Sequence, residues 1–135
     1  MRAKQKATQD WWALRRESFH LVVSDAVTYE IERGDSEAAK KRKSLIASIE
    51  SLAVDSEVES LADSLARGLG LPERAGLDAF HMAAAARHGI RYLMTWNCKH
   101  IANADQFSRI QSLCEQAGFR SPVICTPYEL MEAHR

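Results

Sequence analysis

Apolar positions along the chain switch repeatedly between helical and strand-like spacing, and one stretch sets the frame for the rest. From Leu71 to Ala104 the chain reads LPERAGLDAFHMAAAARHGIRYLMTWNCKHIANA. Ala75, Leu77, Ala79, Met82, Ala83 and Ala86 recur at helical intervals and are mostly small, which predicts a thin helix able to lie close on a sheet. Pro72 suits its first turn, where a missing N–H costs nothing. Gly89 suits its C-terminal stop. Arg91 to Trp96 is then a short apolar run of strand formers. Asn97-Cys98-Lys99-His100 follows as a polar loop. It opens a helix to Ala117, with Ile101, Phe107, Ile110, Leu113 and Cys114 inward and Gly118 just beyond its end.

The same alternation runs on both sides of that stretch. Ala3 to Glu17 reads as a helix whose apolar members are Trp11, Trp12 and Leu14, packed either on the core or on a partner. Phe19 to Val23 predicts a strand, with Ser24 as the N-cap of a short helix closed by Gly34. Val27 and Ile31 form the inward stripe of that helix, Glu30 lies on or near it, and Glu32 and Arg33 look outward. Asp35 or Ser36 caps a third helix through Ile49, which carries the run Lys40-Lys41-Arg42-Lys43. Ser51 to Val54 predicts a short edge strand. Asp55 or Ser56 caps a helix that ends in a turn at Gly68-Leu69-Gly70. Pro122 to Cys125 is the last strand. Thr126-Pro127-x-Glu129 has a cap, a proline and a capping-box glutamate in the order that opens a terminal helix. Strands alternating with helices imply a parallel, three-layer α/β sheet with right-handed crossovers.

The chain's 135 residues suit a single domain, 1–135, with one core. With 46% hydrophobic and 27% charged residues it is neither disordered nor fibrous. Its formal net charge of zero argues against long-range attraction to nucleic acid, while leaving room for a local basic groove. Cys98, Cys114 and Cys125 are an odd number without CxxC spacing, as expected of reduced thiols in a cytoplasmic protein. No apolar run reaches membrane-spanning length, and the first residues, MRAKQKATQDWW, lack an apolar signal core.

Glu30, Asp78 and Asn97 are the polar positions that a purely structural reading explains least well. Glu30 follows one predicted strand and Asn97 another, so parallel strands put both at the same sheet edge, where α/β proteins gather ligands. Asp78 interrupts an apolar stripe and can project to that edge from its helix. Two carboxylates and an amide oxygen suit Mg²⁺ or Mn²⁺, which take oxygen ligands and keep several waters. The competing reading makes all three helix-capping and surface residues. Lys99 and His100, near a helix N-terminus, can bind phosphate or simply be exposed. The Lys40–Lys43 run is either a solvated face or a phosphate-contacting rim. His81 and His88 lack the two-histidine spacing of helical zinc sites, so a hydrogen-bonded histidine, with Asp78 as a partner, is the favoured reading of His81. Cys98 beside His100 has no third group to orient it as a nucleophile.

Taken together, certain strings resemble a PIN domain, in the branch of VapC-like type II toxin–antitoxin toxins. They are Ser24-x-x-x-x-x-Glu30-Ile31-x-x-Gly34-Asp35, Leu71-Pro72 with Asp78-Ala79-x-His81-x-Ala83, Leu93-x-Thr95-Trp96-Asn97-x-Lys99-His100-Ile101-Ala102-Asn103, and Pro122-x-Ile124-x-Thr126-Pro127-x-Glu129-Leu130. The likeness runs in register from about Phe19 to Leu130, and TWNxKHIAN is its most specific part. It implies a Rossmann-like α/β/α sandwich and Mg²⁺- or Mn²⁺-dependent endoribonuclease activity. By position Glu30 and Asp78 match the family's second and third acidic residues, Asn97 stands where many members carry Asp or Asn, and Thr95 matches a polar residue beside it. RNA as substrate, a cognate antitoxin and a homodimer are also implied. The family's first strand, with its first acidic residue, has no match before Phe19. The resemblance is therefore to an N-terminally truncated member, and loss of that central strand leaves unpaired backbone groups in mid-sheet. The alternative function is a non-catalytic interaction protein that binds an antitoxin or a second copy through Trp11, Trp12 and nearby apolar surface.

Overall fold

The computed structural model describes residues 2–14, 20–32, 35–72, 76–94, 104–126 and 129. In chain order these form α1 (Arg2–Leu14), β1 (Val22–Ser24), α2 (Asp25–Glu32), α3 (Ser36–Ile46), β2 (Glu50–Leu52), α4 (Ser56–Leu69), α5 (Gly76–Arg87), β3 (Tyr92–Met94), α6 (Ala104–Gln116) and β4 (Val123–Cys125). The chain is mixed α/β, with short parallel strands, as the alternation predicts.

Local chemistry sets the helix ends. Asp35 accepts the Ala38 N–H at 3.1 Å to start α3, and Asp55 accepts the Val58 N–H at 2.9 Å to start α4. At the other end of α4, Gly70 takes φ 63° while the Gly70 and Leu71 N–H groups donate to Arg67 and Ala66, closing the Schellman motif. Gly89 and Gly118 end α5 and α6 in the same way. The capping box past β4 is also formed: the Thr126 N–H donates to Glu129 Oε1 at 2.9 Å and the Glu129 N–H to Thr126 Oγ1 at 3.4 Å. Of the helix expected after it, Glu129 alone is among the described residues, and it is helical.

The core is built on α4 and α5. Val58, Leu61, Ala62, Leu65 and Leu69 of α4 are buried against Ala79, Met82, Ala83, Ala84 and Ala86 of α5, with Ile110, Cys114 and Ile124 closing the cluster. Burial over Met82–Ala86 runs right round α5, so this helix is enclosed rather than laid on a sheet by one stripe. Its main partner is α4, with α2 and β3 also in contact.

Several boundaries differ from the sequence reading for identifiable reasons. Ser24 ends β1 instead of capping a helix, since it pairs with Leu52 in the ladder and α2 starts at Asp25. Helix α3 stops at Ile46 because Glu50 is already in register with Val22, which also moves β2 ahead of the expected Ser51–Val54. Gly68 is inside α4, not in the turn: a Cβ there would lie 2.6 Å from Leu113 Cδ1, so the missing side chain is what lets α6 approach. Pro72 is non-helical chain ahead of α5, whose described start is Gly76. Phe107 is 43% exposed rather than inward, because Ile110 and Cys114 already fill the buried side of α6.

The strands depart furthest from expectation. β1 pairs in parallel with β2, and β3 in parallel with β4, but among the described residues these are two separate two-stranded ladders. A second, smaller cluster joins Trp11 and Trp12 of α1 to Leu21, Tyr92, Met94 and Cys125. Trp11 is 2% exposed, so core packing is its role, and it is not available as partner-binding surface. No helix is long and apolar enough to cross a membrane among the described residues.

Two measurements check this packing. Leu65→Ala, which truncates a fully buried side chain, is expected to lower unfolding free energy by about 2–5 kcal/mol in urea. Leu14→Ala, at a 70% exposed position, is expected to change it by under about 0.5 kcal/mol. The carboxyl of Asp55 is held below its ordinary 3.8 first by the Val58 N–H and then by the charge of Arg87. Its contribution is therefore complete above pH 3.8 and is lost as pH falls through the lower folded value. Asp55→Asn keeps a cap but not the charge, so its stability is expected to fall less than wild type between neutral and acidic pH.

Candidate functional site

The sequence-predicted site residues divide into those the structure describes and those it does not. Thr95, Asn97, Lys99 and His100 lie outside the described residues, in the segment that follows β3. Glu30 belongs by its backbone to α2, which starts directly from the end of β1; its side chain is likewise outside the description. Asp78 lies in the first turn of α5 and is half-buried. A carboxylate there meets the positive end of the helix dipole. Asp78 and His81 both have interaction partners.

One contact brings together the helices that carry two of these positions. Helix α2 packs against α5, so the Glu30-bearing helix and the Asp78-bearing helix adjoin. Strand β1 runs straight into α2. Among the described residues no group of three or more His, Cys, Asp and Glu side chains is placed to hold a metal ion. Of the proposed donors Glu30, Asp78 and Asn97, only the Asp78 side chain is described.

Other candidate residues have structural work. His88 places Nε2 2.8 Å from the Ala53 carbonyl oxygen, joining the end of α5 to the chain after β2. His88 is thus a hydrogen-bonded histidine. Arg87 beside it reaches Asp55 at 3.3 Å, and its Nε lies 3.0 Å from Glu57 Oε2, within ion-pair range but not aligned for a hydrogen bond. The two carboxylates stand at the start of α4, so Arg87 ties the end of α5 to that helix's first turn. Lys40, Lys41, Arg42 and Lys43 are exposed along α3, and Lys43 Nζ pairs with Glu32 Oε1 at 2.6 Å. That bond fastens α3 to α2 and leaves the rest of the basic run facing water.

Sequence reasoning missed the polar groups at the open end of β1. Ser51 Oγ donates to Asp25 Oδ1 at 3.0 Å, linking β2 to the first residue of α2. Ser24 is 6% exposed and its Oγ has no hydrogen-bond partner among the described residues. Its position inside Leu21-Val22-Val23-Ser24, a strand-forming run, was the available signal that it would be buried in β1 rather than capping a helix.

Against protein-family models, curated proteins and solved structures, no match is found for this chain.

Thiol chemistry finds no support in the described cysteines. Burial raises the Cys114 thiol above its ordinary 9.0, and burial first, then the charge of Glu129, pushes Cys125 up to about 12. Iodoacetamide at pH 8 is therefore expected to leave Cys114 and Cys125 unmodified in the folded chain and to alkylate both in urea, as read by peptide mass spectrometry.

Proposed function

We propose that this chain is a PIN-type, divalent-metal-dependent endoribonuclease of the VapC-like toxin branch, on a three-layer, Rossmann-like α/β/α frame. The observation that carries the reading is the packing of α2 on α5, which sets the Glu30 helix beside the Asp78 helix. The TWNxKHIAN string after Leu93 and the parallel pairing of all four described strands add to it.

In this reading Glu30, Asp78 and Asn97 hold Mg²⁺ or Mn²⁺. The donor set fits such an ion by chemistry, because hard cations take carboxylate and amide oxygens, and one or two carboxylates suffice when water fills the remaining positions. A bound ion supplies Lewis-acid activation of water and charge stabilisation at a phosphodiester. The chain's own part is positioning. Glu30 and Asp78 bring negative charge from two adjoining helices. Asn97 ligates or orients a water, and Thr95, Lys99 and His100 contact the RNA beside it. Exposed Lys40, Lys41 and Arg42 steer the backbone electrostatically, with an attraction that weakens as salt rises. A cognate antitoxin and a second copy of the chain are the proposed protein partners. The interaction-protein alternative, which rests on Trp11, Trp12 and nearby apolar surface, is weaker because Trp11 is buried.

A calorimetric Mn²⁺ titration, followed by an RNA-cleavage screen, tests the reading on wild type and Asp78→Asn. The expected result is Mn²⁺ binding and metal-dependent cleavage in wild type, both lost in a variant whose circular dichroism and melting temperature are unchanged. Undiminished cleavage by Asp78→Asn would remove Asp78 from the site.

A further inference from the structure

The outer edge of β4 leaves both backbone groups and apolar side chains uncovered. In the β3–β4 ladder the Val123 N–H donates to the Arg91 carbonyl at 2.7 Å, and the parallel register sets Tyr92 beside Val123 and Met94 beside Cys125. Parallel pairing turns alternate residues of a strand toward its neighbour. Val123 and Cys125 therefore bond toward β3, and the Ile124 N–H and C=O point to the other edge. Among the described residues no strand pairs with that edge. The same alternation turns residues 122 and 126 outward, but neither offers a donor. Pro122 has no N–H, and the Thr126 N–H is taken by Glu129 Oε1. Ile124 thus presents the one outward pair of donor and acceptor between residues 122 and 126. Alongside it an open cleft of about 250 Å³ separates β4 from α6, with Phe107, Ile110, Pro122 and Val123 in its lining. Phe107 and Val123 are both large, apolar and exposed. An edge with open backbone groups and apolar side chains is a template for another strand.

We propose that this edge is an interface between two copies of the chain, with β4 pairing antiparallel to β4 about a twofold axis at Ile124. Each Ile124 then donates to and accepts from the other, as in the hydrogen-bonded pair of an antiparallel ladder, which uses the two groups that β4 leaves open. Val123 of each copy lies across from Cys125 of the other, and Val123 and Phe107 leave water together. Exposed charges favour the same arrangement. Arg120 precedes β4 and Glu129 follows it, so the axis sets the Arg120 end of one copy beside the Glu129 end of the other. A longer extended peptide is the poorer occupant, because it finds no donor at 122 or 126 with which to continue the ladder. With so short a paired edge, the dimer is one that dissociates on dilution. This inference gives a surface to the second copy named under the proposed function, yet it stands on the β4 edge and needs neither metal nor RNA.

The test is light scattering over a concentration series, joined to amide hydrogen exchange, on the 135-residue chain and two variants. The first variant, Val123→Lys, puts a charge on an exposed edge position and leaves the core alone. The second, Arg120→Glu, lies outside the strand and sets like charges against Glu129. The unaltered chain is expected to form a dimer that falls apart on dilution. In the dimer the Ile124 amide is expected to exchange slower by about tenfold or more, while the Val123 and Cys125 amides, already bonded to β3, change little. Val123→Lys is expected to stay monomeric, with Ile124 exchanging fast at every concentration and the melting temperature of the dilute chain unchanged. Arg120→Glu is expected to weaken dimerisation by about tenfold. A chain still monomeric at about 1 mM would overturn the proposal. So would a dimer in which Ile124 exchange is unchanged, or undiminished dimerisation of either variant, since each would assign association to another surface.

Discussion

The packing of α5 against α4 is the contact on which the other elements depend. Helix α5 is buried on nearly all sides, and its run of alanines lets neighbours approach its backbone closely. Val58, Leu65 and Met82 are fully buried at the centre of that contact. Each such side chain contributes about 1.5–3 kcal/mol by leaving water. Two further interactions hold α5 at its C-terminal end, the Arg87 ion pairs with Asp55 and Glu57 and the His88 bond to Ala53. The half-exposed ion pairs add little energy, but they fix the end of one helix to the start of the other. With α5 fixed, its first turn, and with it Asp78, has a defined place, and so does the surface on which α2 rests.

The strands answer to a second constraint, that backbone polar groups must be paired. Among the described residues, the parallel ladders of β1 with β2 and of β3 with β4 meet it on one edge of each strand. Helix α1 spans the discontinuity through a single deeply buried tryptophan, Trp11, flanked by the partly buried Trp12. The protein is thus densely packed around α4, α5 and α6 and less completely closed around β1 and β3.

Much of this was legible in the residues. The capping carboxylates Asp35 and Asp55, the terminating Gly70, Gly89 and Gly118 and the Thr126–Glu129 box act over a few residues, so local sequence fixes them. The apolar character of α5 was legible too, but not that Met82–Ala86 are buried right round the helix, because that depends on the elements packed about it. Phe107 and Gly68 were misread because their environments are set by elements distant in sequence: α6 had already filled its inner face with Ile110 and Cys114, and Gly68 answers to Leu113. Ser24 was misread because strand pairing with Leu52 overrides a good capping residue. Spacing alone set Glu30 and Asp78 at one edge as a possibility. The α2–α5 contact, which depends on the whole core, is what brings their helices together.

The most direct measurement of that juxtaposition is paramagnetic line broadening of backbone amide resonances during a Mn²⁺ titration. The account predicts that amides around Glu30 in α2 and around Asp78 in α5 broaden together, at the same Mn²⁺ concentration, ahead of exposed carboxylates such as Asp63 and Glu59 of α4. Broadening confined to those surface carboxylates, with α2 and α5 untouched, would contradict it.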